Sequence, residues 1–251
     1  MDDKLAIIIL AAGMGTRMKS NLAKVLHRIH GRPMIQYVVD AARGAAGRNI
    51  VLVVGHQADE VRRVVSAEAE VGYAHQEKQL GTGHAVMCAL PILPPAAEDV
   101  VILCGDVPLI RTGTILALVA DHRAAGRDVT VLAVDVPDPT GYGRIICSDD
   151  ARLRAIVEEA DATRSQKRIS IINSGIYCAS RSFLAEILPK LNADNAQQEF
   201  YLTDIIALGV DAGRQTGMMM GGHYSEILGV NTVKELGIAA DLMTAQGRII
   251  S

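Results

Sequence analysis

The chain has no tryptophan and only two phenylalanines in 251 residues. Platforms on which unpaired bases stack are therefore scarce. Positive charge is not in excess either: the formal net charge is −3, and basic runs such as KSNLAK are short. A general nucleic-acid binder carries a basic face, so no nucleic-acid partner is expected. Apolar runs of the roughly 20 residues that cross a bilayer are missing. The opening MDDKLAIIIL has neither the basic start nor the small-residue cleavage site of a signal peptide. The expected setting is cytoplasmic, without membrane contact. Cys88, Cys104, Cys147 and Cys178 lie too far apart for CxxC spacing and read as buried free thiols, not zinc ligands or disulfides.

Several catalytic signatures are absent as well. There is no GxSxG nucleophile motif and no pair of carboxylates at an obvious catalytic spacing. The Walker pattern GxxxxGK followed by Ser or Thr does not occur. The dinucleotide fingerprint is half present, with Gly13 and Gly15 in place but Met18 in the third position. The second strand then ends in Gly55 and His56, where that motif needs an acid for the ribose. Both departures argue against an NAD-type site.

What is present is a rhythm. Apolar runs of strand length (LAIIIL, NIVLVVG, EVGYAH, DVVILCG, DVTVLAVDV) alternate with helix-like segments (PMIQYVVDAARGAA, ADEVRRVVSAE, TGHAVMCALPIL, RTGTILALVADHRAAG). The runs lack two-residue alternation, which suits strands covered on both faces. The fold class is α/β, with a mostly parallel central sheet and helices on both faces. Hydrophobic residues make up 49% of the chain, enough for one substantial domain, 1–251. Its core spans about 1–228. After Pro137 the pattern shifts to short strands around a turn at Ser148–Ala151 and a strand IINSGIYCAS, read as an inserted lobe over about 137–180. TVKELGIAADLMTAQ reads as a terminal helix within 229–251.

Ligands of such sheets lie beyond the carboxyl ends of the strands. LAAGMGTRM ends the first strand in a loop whose small residues let backbone N–H groups approach a phosphate or nucleoside closely, with Arg17 and Lys24 as neutralising cations. Asp106 ends the strand VVILCGD, where one carboxylate suits Mg²⁺ completed by water and phosphate oxygens. Gln76 and Gln79 offer amides to a base edge, while Gly81 and Thr82 open a helix with Thr82 as a possible N-cap. Gly143, Glu158 and Asn173 form a polar group suited to a hydroxyl-rich substrate, or are simply polar residues at strand ends. Asn231, before the terminal helix, is an N-cap candidate that also has reach toward a metal. A phosphate monoester is largely dianionic at neutral pH, with a second pKa near ~6. It attacks without a general base, and positive charge, metal and alignment are what its transfer chemistry needs.

LAAGMGTRM, KVLH, GRPMIQYVVDAA, QLGTGHAV, GDVPLI, DPTGYGRII, IVEEADAT, INSGIY, NAQQEFYLTDII and GVNT, in that order, resemble the sugar-nucleotide pyrophosphorylases. Within them they are most similar to the uridylyltransferase half of the bacterial bifunctional N-acetylglucosamine-1-phosphate uridylyltransferase/glucosamine-1-phosphate acetyltransferases. The resemblance runs from about Leu5 to Leu236. It implies a Rossmann-like nucleotidyltransferase fold and transfer of UMP from UTP to N-acetylglucosamine 1-phosphate, with Mg²⁺ as cofactor, for cell-envelope precursor synthesis. Carried over by motif, Leu10–Gly13, Gln76, Gly81 and Thr82 would hold the nucleotide, and Arg17 and Lys24 would act on the phosphates. Asp106 and Asn231 would bind Mg²⁺, and Gly143, Glu158 and Asn173 the amino sugar. Ala23 stands where the family usually has proline, and Cys104 where some members place tyrosine. No hexapeptide repeats of an acetyltransferase β-helix are found. The chain is thus expected to be either part of a longer polypeptide or a single-activity relative, with its oligomeric state open. The alternatives are a related enzyme for another sugar phosphate or base (a glucose-1-phosphate or thymidylyl type) and a non-catalytic nucleotide sensor.

Overall fold

The structure, a computed structural model, describes residues 2–221 and 223–247. In chain order the strands and helices are β1 (Leu5–Ala11), β2 (Arg28–Ile29), β3 (Arg32–Pro33), α1 (Met34–Ala46), β4 (Ile50–Val54), α2 (Ala58–Ser66) and β5 (Gly72–His75). They continue as α3 (Thr82–Ala89), β6 (Asp99–Cys104), α4 (Thr112–Ala124), β7 (Val129–Asp135), β8 (Arg144–Cys147) and β9 (Leu153–Val157). The last are β10 (Ile171–Ser180), α5 (Arg181–Ile187), α6 (Asp204–Asp211), β11 (Thr216–Met220) and α7 (Val233–Ala245).

The central sheet has the order β11-β7-β10-β6-β1-β4-β5. All neighbours are parallel except those of β10, which runs against both β6 and β7. The strand β1 pairs with β4 through Ile9↔Leu52 and with β6 through Ile9↔Leu103. It is apolar throughout because both of its faces are covered. Ile7 and Ile9 face a core shared with α1, α2 and α4, while Ala6 and Ile8 face one shared with α3, α5 and α6. The sequence-read helices and the mostly parallel sheet are thus present, with helices on both faces. Beyond β1 the chain first builds outward through β4 and β5, then crosses to β6 on the other side. This makes β1 the topological switch point.

Some segments differ from expectation. TGHAVMCALPIL is α-helical only to Ala89 and continues as a 3₁₀ turn, Leu90–Ile92. Pro91 has no N–H to extend the helix ladder. EVGYAH pairs only from Gly72. The turn at Ser148–Ala151 closes by an Ala151 N–H to Ser148 carbonyl bond of 2.9 Å, with Ala151 left-handed at φ +61°. Around it β8 and β9 pair with each other, β8 also pairs with β10, and β10 runs on into the middle of the main sheet. All four cysteines are free; Cys178 is fully buried, and Cys88 and Cys104 are half-buried. Cys147, at the end of β8, is exposed, which corrects the expectation for that thiol. No helix among the described residues is long and apolar enough to cross a membrane.

Candidate active site

The end of β1 opens into a cavity of about 250 Å³ lined by Leu10, Ala11, Ala12, Gly13, Lys24, Gln76, Gly81, Thr82, Cys104 and Asp106, among others. Apart from Lys24, these residues come from the carboxyl ends of β1, β5 and β6 and from the start of α3. A Cβ added at Gly13 would meet nothing within 4 Å, so its backbone borders open space. Gly15 is different. It is left-handed at φ +65°, and a side chain there would run into Lys24 Cβ. The turn after it, Thr16–Met18, carries Arg17, and a second 3₁₀ turn, Lys24–Leu26, carries Lys24.

Four polar side chains meet at the mouth. Lys24 Nζ is ion-paired to Asp106 Oδ2 and donates to Asn231 Oδ1 at 3.0 Å. Arg17 Nη2 donates to the same Asn231 oxygen at 2.9 Å. The backbone brings the two acceptors together, because the Val230 N–H bonds the Asp106 carbonyl at 2.8 Å. Asn231 is not the N-cap of α7, as one expectation had it. Thr232 caps that helix in a reciprocal box with Glu235, which leaves the Asn231 side chain for the site. The two oxygens converge on one ammonium, and oxygen donors of this kind suit a hard divalent cation that takes its remaining ligands from water and phosphate. No group of three or more His, Cys, Asp or Glu side chains gathers for a metal among the described residues. The residues present therefore fit a Mg²⁺ ion held jointly by protein and substrate.

Gln76, only 3% exposed, directs its amide nitrogen to the Gly81 carbonyl at 3.0 Å and to His84 Nδ1 at 3.1 Å. His84 therefore orients Gln76. Gln79 Nε2 donates to the Gln76 carbonyl at 3.3 Å. The N-cap of α3 is Gly81, not Thr82, whose hydroxyl instead accepts from the Leu202 N–H at 3.0 Å. Gly81 sits at φ +113°, and a Cβ there would lie 2.6 Å from the Phe200 carbonyl oxygen. The 199–200 segment, unassigned from local pattern, thus presses on the nucleotide-side loop, and Glu199 lines the cavity.

Gly143, Glu158 and Asn173 form a second group. A Cβ built on Gly143 would lie 3.5 Å from Glu158 Oε2 and 3.6 Å from Asn173 Cβ. Gly143 precedes β8 and Glu158 follows β9, but Asn173 is inside β10, beside a bulge between Asn173 and Tyr177. Bulges re-aim side chains next to sites. Here the Asn173 amide donates to the Tyr177 hydroxyl at 2.8 Å and accepts from the Gly175 N–H at 2.9 Å. One amide hydrogen remains for another partner. Arg144, 1% exposed, holds the neighbouring loops through the Tyr142 carbonyl and Glu159 Oε2, the latter at 2.5 Å. Cys104 joins the two groups, lining the cavity while donating to the Gly175 carbonyl at 3.5 Å. Burial, with help from Asp106, pushes its thiol up to about 12, so it stays neutral and is no nucleophile.

The family model described as a MobA-like NTP transferase domain matches residues 7–196. The chain is 48% identical over 247 residues to the bifunctional protein GlmU of Geotalea uraniireducens, covering 98% of this chain and 54% of that protein. It is 48% identical over 241 residues to that of Pelobacter propionicus (96% and 52%), and 48% over 238 residues to that of Geobacter sulfurreducens (95% and 50%). The chain spans about half the length of these relatives. On that match, which takes in most of the sheet and most of the cavity lining, the chain belongs to the MobA-like NTP transferase family and is a nucleotidyltransferase.

Proposed function

We propose that the chain transfers UMP from UTP to N-acetylglucosamine 1-phosphate, giving UDP-N-acetylglucosamine and pyrophosphate, for cell-envelope precursor synthesis. The observation that carries this reading is the meeting of Arg17, Lys24, Asp106 and Asn231 at the mouth of the nucleotide-side cavity. Gln76 and the Gly81–Thr82 helix entry bind the base and ribose, and the Leu10–Gly13 backbone lies along the nucleotide. Asp106 and Asn231 hold Mg²⁺, which when bound neutralises phosphate charge and orients the triphosphate. Arg17 and Lys24 stabilise the charge that develops at the α-phosphorus.

The sugar phosphate is its own nucleophile. Its oxygen forms the new bond to the α-phosphorus, and the bond from that phosphorus to the β-bridging oxygen breaks, releasing pyrophosphate. No general base is required. The Gly143 N–H, the Glu158 carboxyl and the free amide hydrogen of Asn173 hold the sugar. The acetamido group is the selective feature, since a site built to bond it leaves polar groups unpaired with glucose 1-phosphate. The test is pyrophosphate release across a small matrix of nucleoside triphosphates and sugar 1-phosphates. The expected result is a clear preference for UTP with N-acetylglucosamine 1-phosphate. Equal kcat/KM for the acetylated sugar and glucose 1-phosphate would overturn the sugar assignment, and preference for another triphosphate the uridine one.

A further inference from the structure

We propose that Gln57 is a positioning residue for Lys24, holding the peptide groups just before that lysine with its side-chain amide. The proposal rests on the reading of Lys24 as a group that contacts the reacting phosphates. Gln57 lies between β4 and α2, far from Lys24 in sequence. Its Oε1 accepts the Ala23 N–H at 2.7 Å, and its Nε2 donates to the Asn21 carbonyl at 2.8 Å. One planar amide thus grips two backbone groups of one loop. The pairing also fixes its orientation, since an N–H requires the oxygen and a carbonyl requires the nitrogen.

Little else restrains that loop. Among the described residues, the other hydrogen bonds of residues 20–23 stay within the loop and the turn that follows: Leu22 N–H to Ser20 Oγ at 3.1 Å, and Leu26 N–H to the Ala23 carbonyl at 2.9 Å. Ala23 is buried but Leu22 is 37% exposed. Lys24 then has to meet both Asp106 and Asn231 from the end of a flexible four-carbon stem. Small misplacements of such groups cost much of the rate, on the order of 100-fold for an ångström. Gln57 itself occupies the left-handed region, φ 52° and ψ 41°, at the N-cap of α2. A non-glycine residue there is uncommon, and its long amide has a use that glycine does not offer.

Ala23 completes the device. Its φ of −52° and ψ of 134° are compatible with proline. Proline would fix φ by its ring but has no N–H for Gln57 Oε1. Ala23 leaves φ free and supplies that N–H, so the bond from Gln57 replaces a ring constraint. This makes the two positions interdependent in a predictable sense.

Gln57→Leu keeps the bulk and removes both bonds. We expect kcat for pyrophosphate release to fall about tenfold or more, with KM for UTP changed less, because ground-state binding does not depend on Lys24 alone. Ala23→Pro added to Gln57→Leu should restore most of the lost kcat, whereas Ala23→Pro alone should bring no gain. Backbone amide exchange at Ala23 gives a readout independent of activity. It should quicken at least tenfold in Gln57→Leu while the amides of α2 stay protected. Gln57→Asn, which tolerates the left-handed backbone but is one methylene short, should repeat the effect if the leucine variant folds poorly. Unchanged kcat and Ala23 exchange in either folded variant would overturn the proposal, as would a loss confined to KM that Ala23→Pro does not restore. Should the wild type transfer no nucleotide at all, the functional reading fails, and the exchange result still decides whether Gln57 holds the loop.

Discussion

Burial pushes the Glu158 carboxyl above its ordinary range, and the nearby Asp204 and Asp161 carboxylates add to the shift, against the opposing Thr203 hydroxyl and Arg144 guanidinium. The side chain therefore stays protonated to a higher pH than an exposed glutamate. Hydroxyl groups of a sugar donate best to the ionised form. Sugar affinity should then rise as pH climbs through the raised value. KM for the sugar 1-phosphate should fall across the pH window just above the usual carboxylate value. The substrate phosphate titrates in the same window, so the diagnostic quantity is the part of the slope that Glu158→Gln removes. Linkage gives a second readout with the opposite sign. A carboxyl whose folded pKa is raised contributes stability at low pH and loses it as pH rises through the folded value. Thermal melts of wild type and Glu158→Gln should coincide at low pH, with the variant the more stable at neutral pH. Parallel pH profiles in both measurements would show that Glu158 does not ionise at the site.

At the scale of elements, the entry to α3 depends on contacts made by a segment over a hundred residues later. Gly81 has a conformation open essentially to glycine alone, and its missing Cβ is filled by the Phe200 backbone at 2.6–2.8 Å. Gly81→Ala combines backbone strain with overpacking, for a loss of about 2 kcal/mol or more of stability. Because the Gly81 carbonyl also accepts from Gln76, KM for UTP should rise along with the drop in Tm. A normal Tm and KM would mean that the 199–200 segment moves aside freely. Such distant contacts are why some elements are legible in sequence and others are not. The runs of β1, β4, β6 and β7 are long, apolar and β-branched, so local pattern sufficed. The β11 segment TGMMM has no such pattern; it pairs because β7 offers it an edge. The bulge in β10 that sets Asn173 is likewise a matter of register against β7. Asn231 and Thr232 are both good caps for α7, so sequence leaves the cap open, and the capping box with Glu235 decides for Thr232. Gln57 reaches the backbone of residues 21 and 23, and Arg144 the Glu159 carboxylate, contacts that no local motif records.

Across the whole molecule, the site residues come from both ends of the chain, from Leu10 to Asn231, and no local unit contains them. The cleft is assembled only when β1, β6 and the approach to α7 are in register, with the Asp106 carbonyl bonded to the Val230 N–H. A ligand touching Asp106, Asn231 and the Gly143–Glu158–Asn173 group together should stabilise the entire fold, since unfolding any of these parts releases it. For UDP-N-acetylglucosamine with Mg²⁺ at about 100 times its Kd, mass action gives about 2.7 kcal/mol, or roughly 5–10 °C in Tm for a chain of this size. Mg²⁺ should contribute a distinct share of that shift in the wild type. Asp106→Asn keeps the size of the side chain but removes the charge, so it should still bind the sugar nucleotide while losing most of the Mg²⁺-dependent share. Turnover in that variant should fall about 100-fold or more, in line with several kcal/mol of lost charge stabilisation. Thermal melts with and without Mg²⁺, at fixed nucleotide, separate the two contributions. A Mg²⁺-dependent shift of full size in folded Asp106→Asn would remove this carboxylate from the metal site and leave Asn231 and the phosphates to hold the ion.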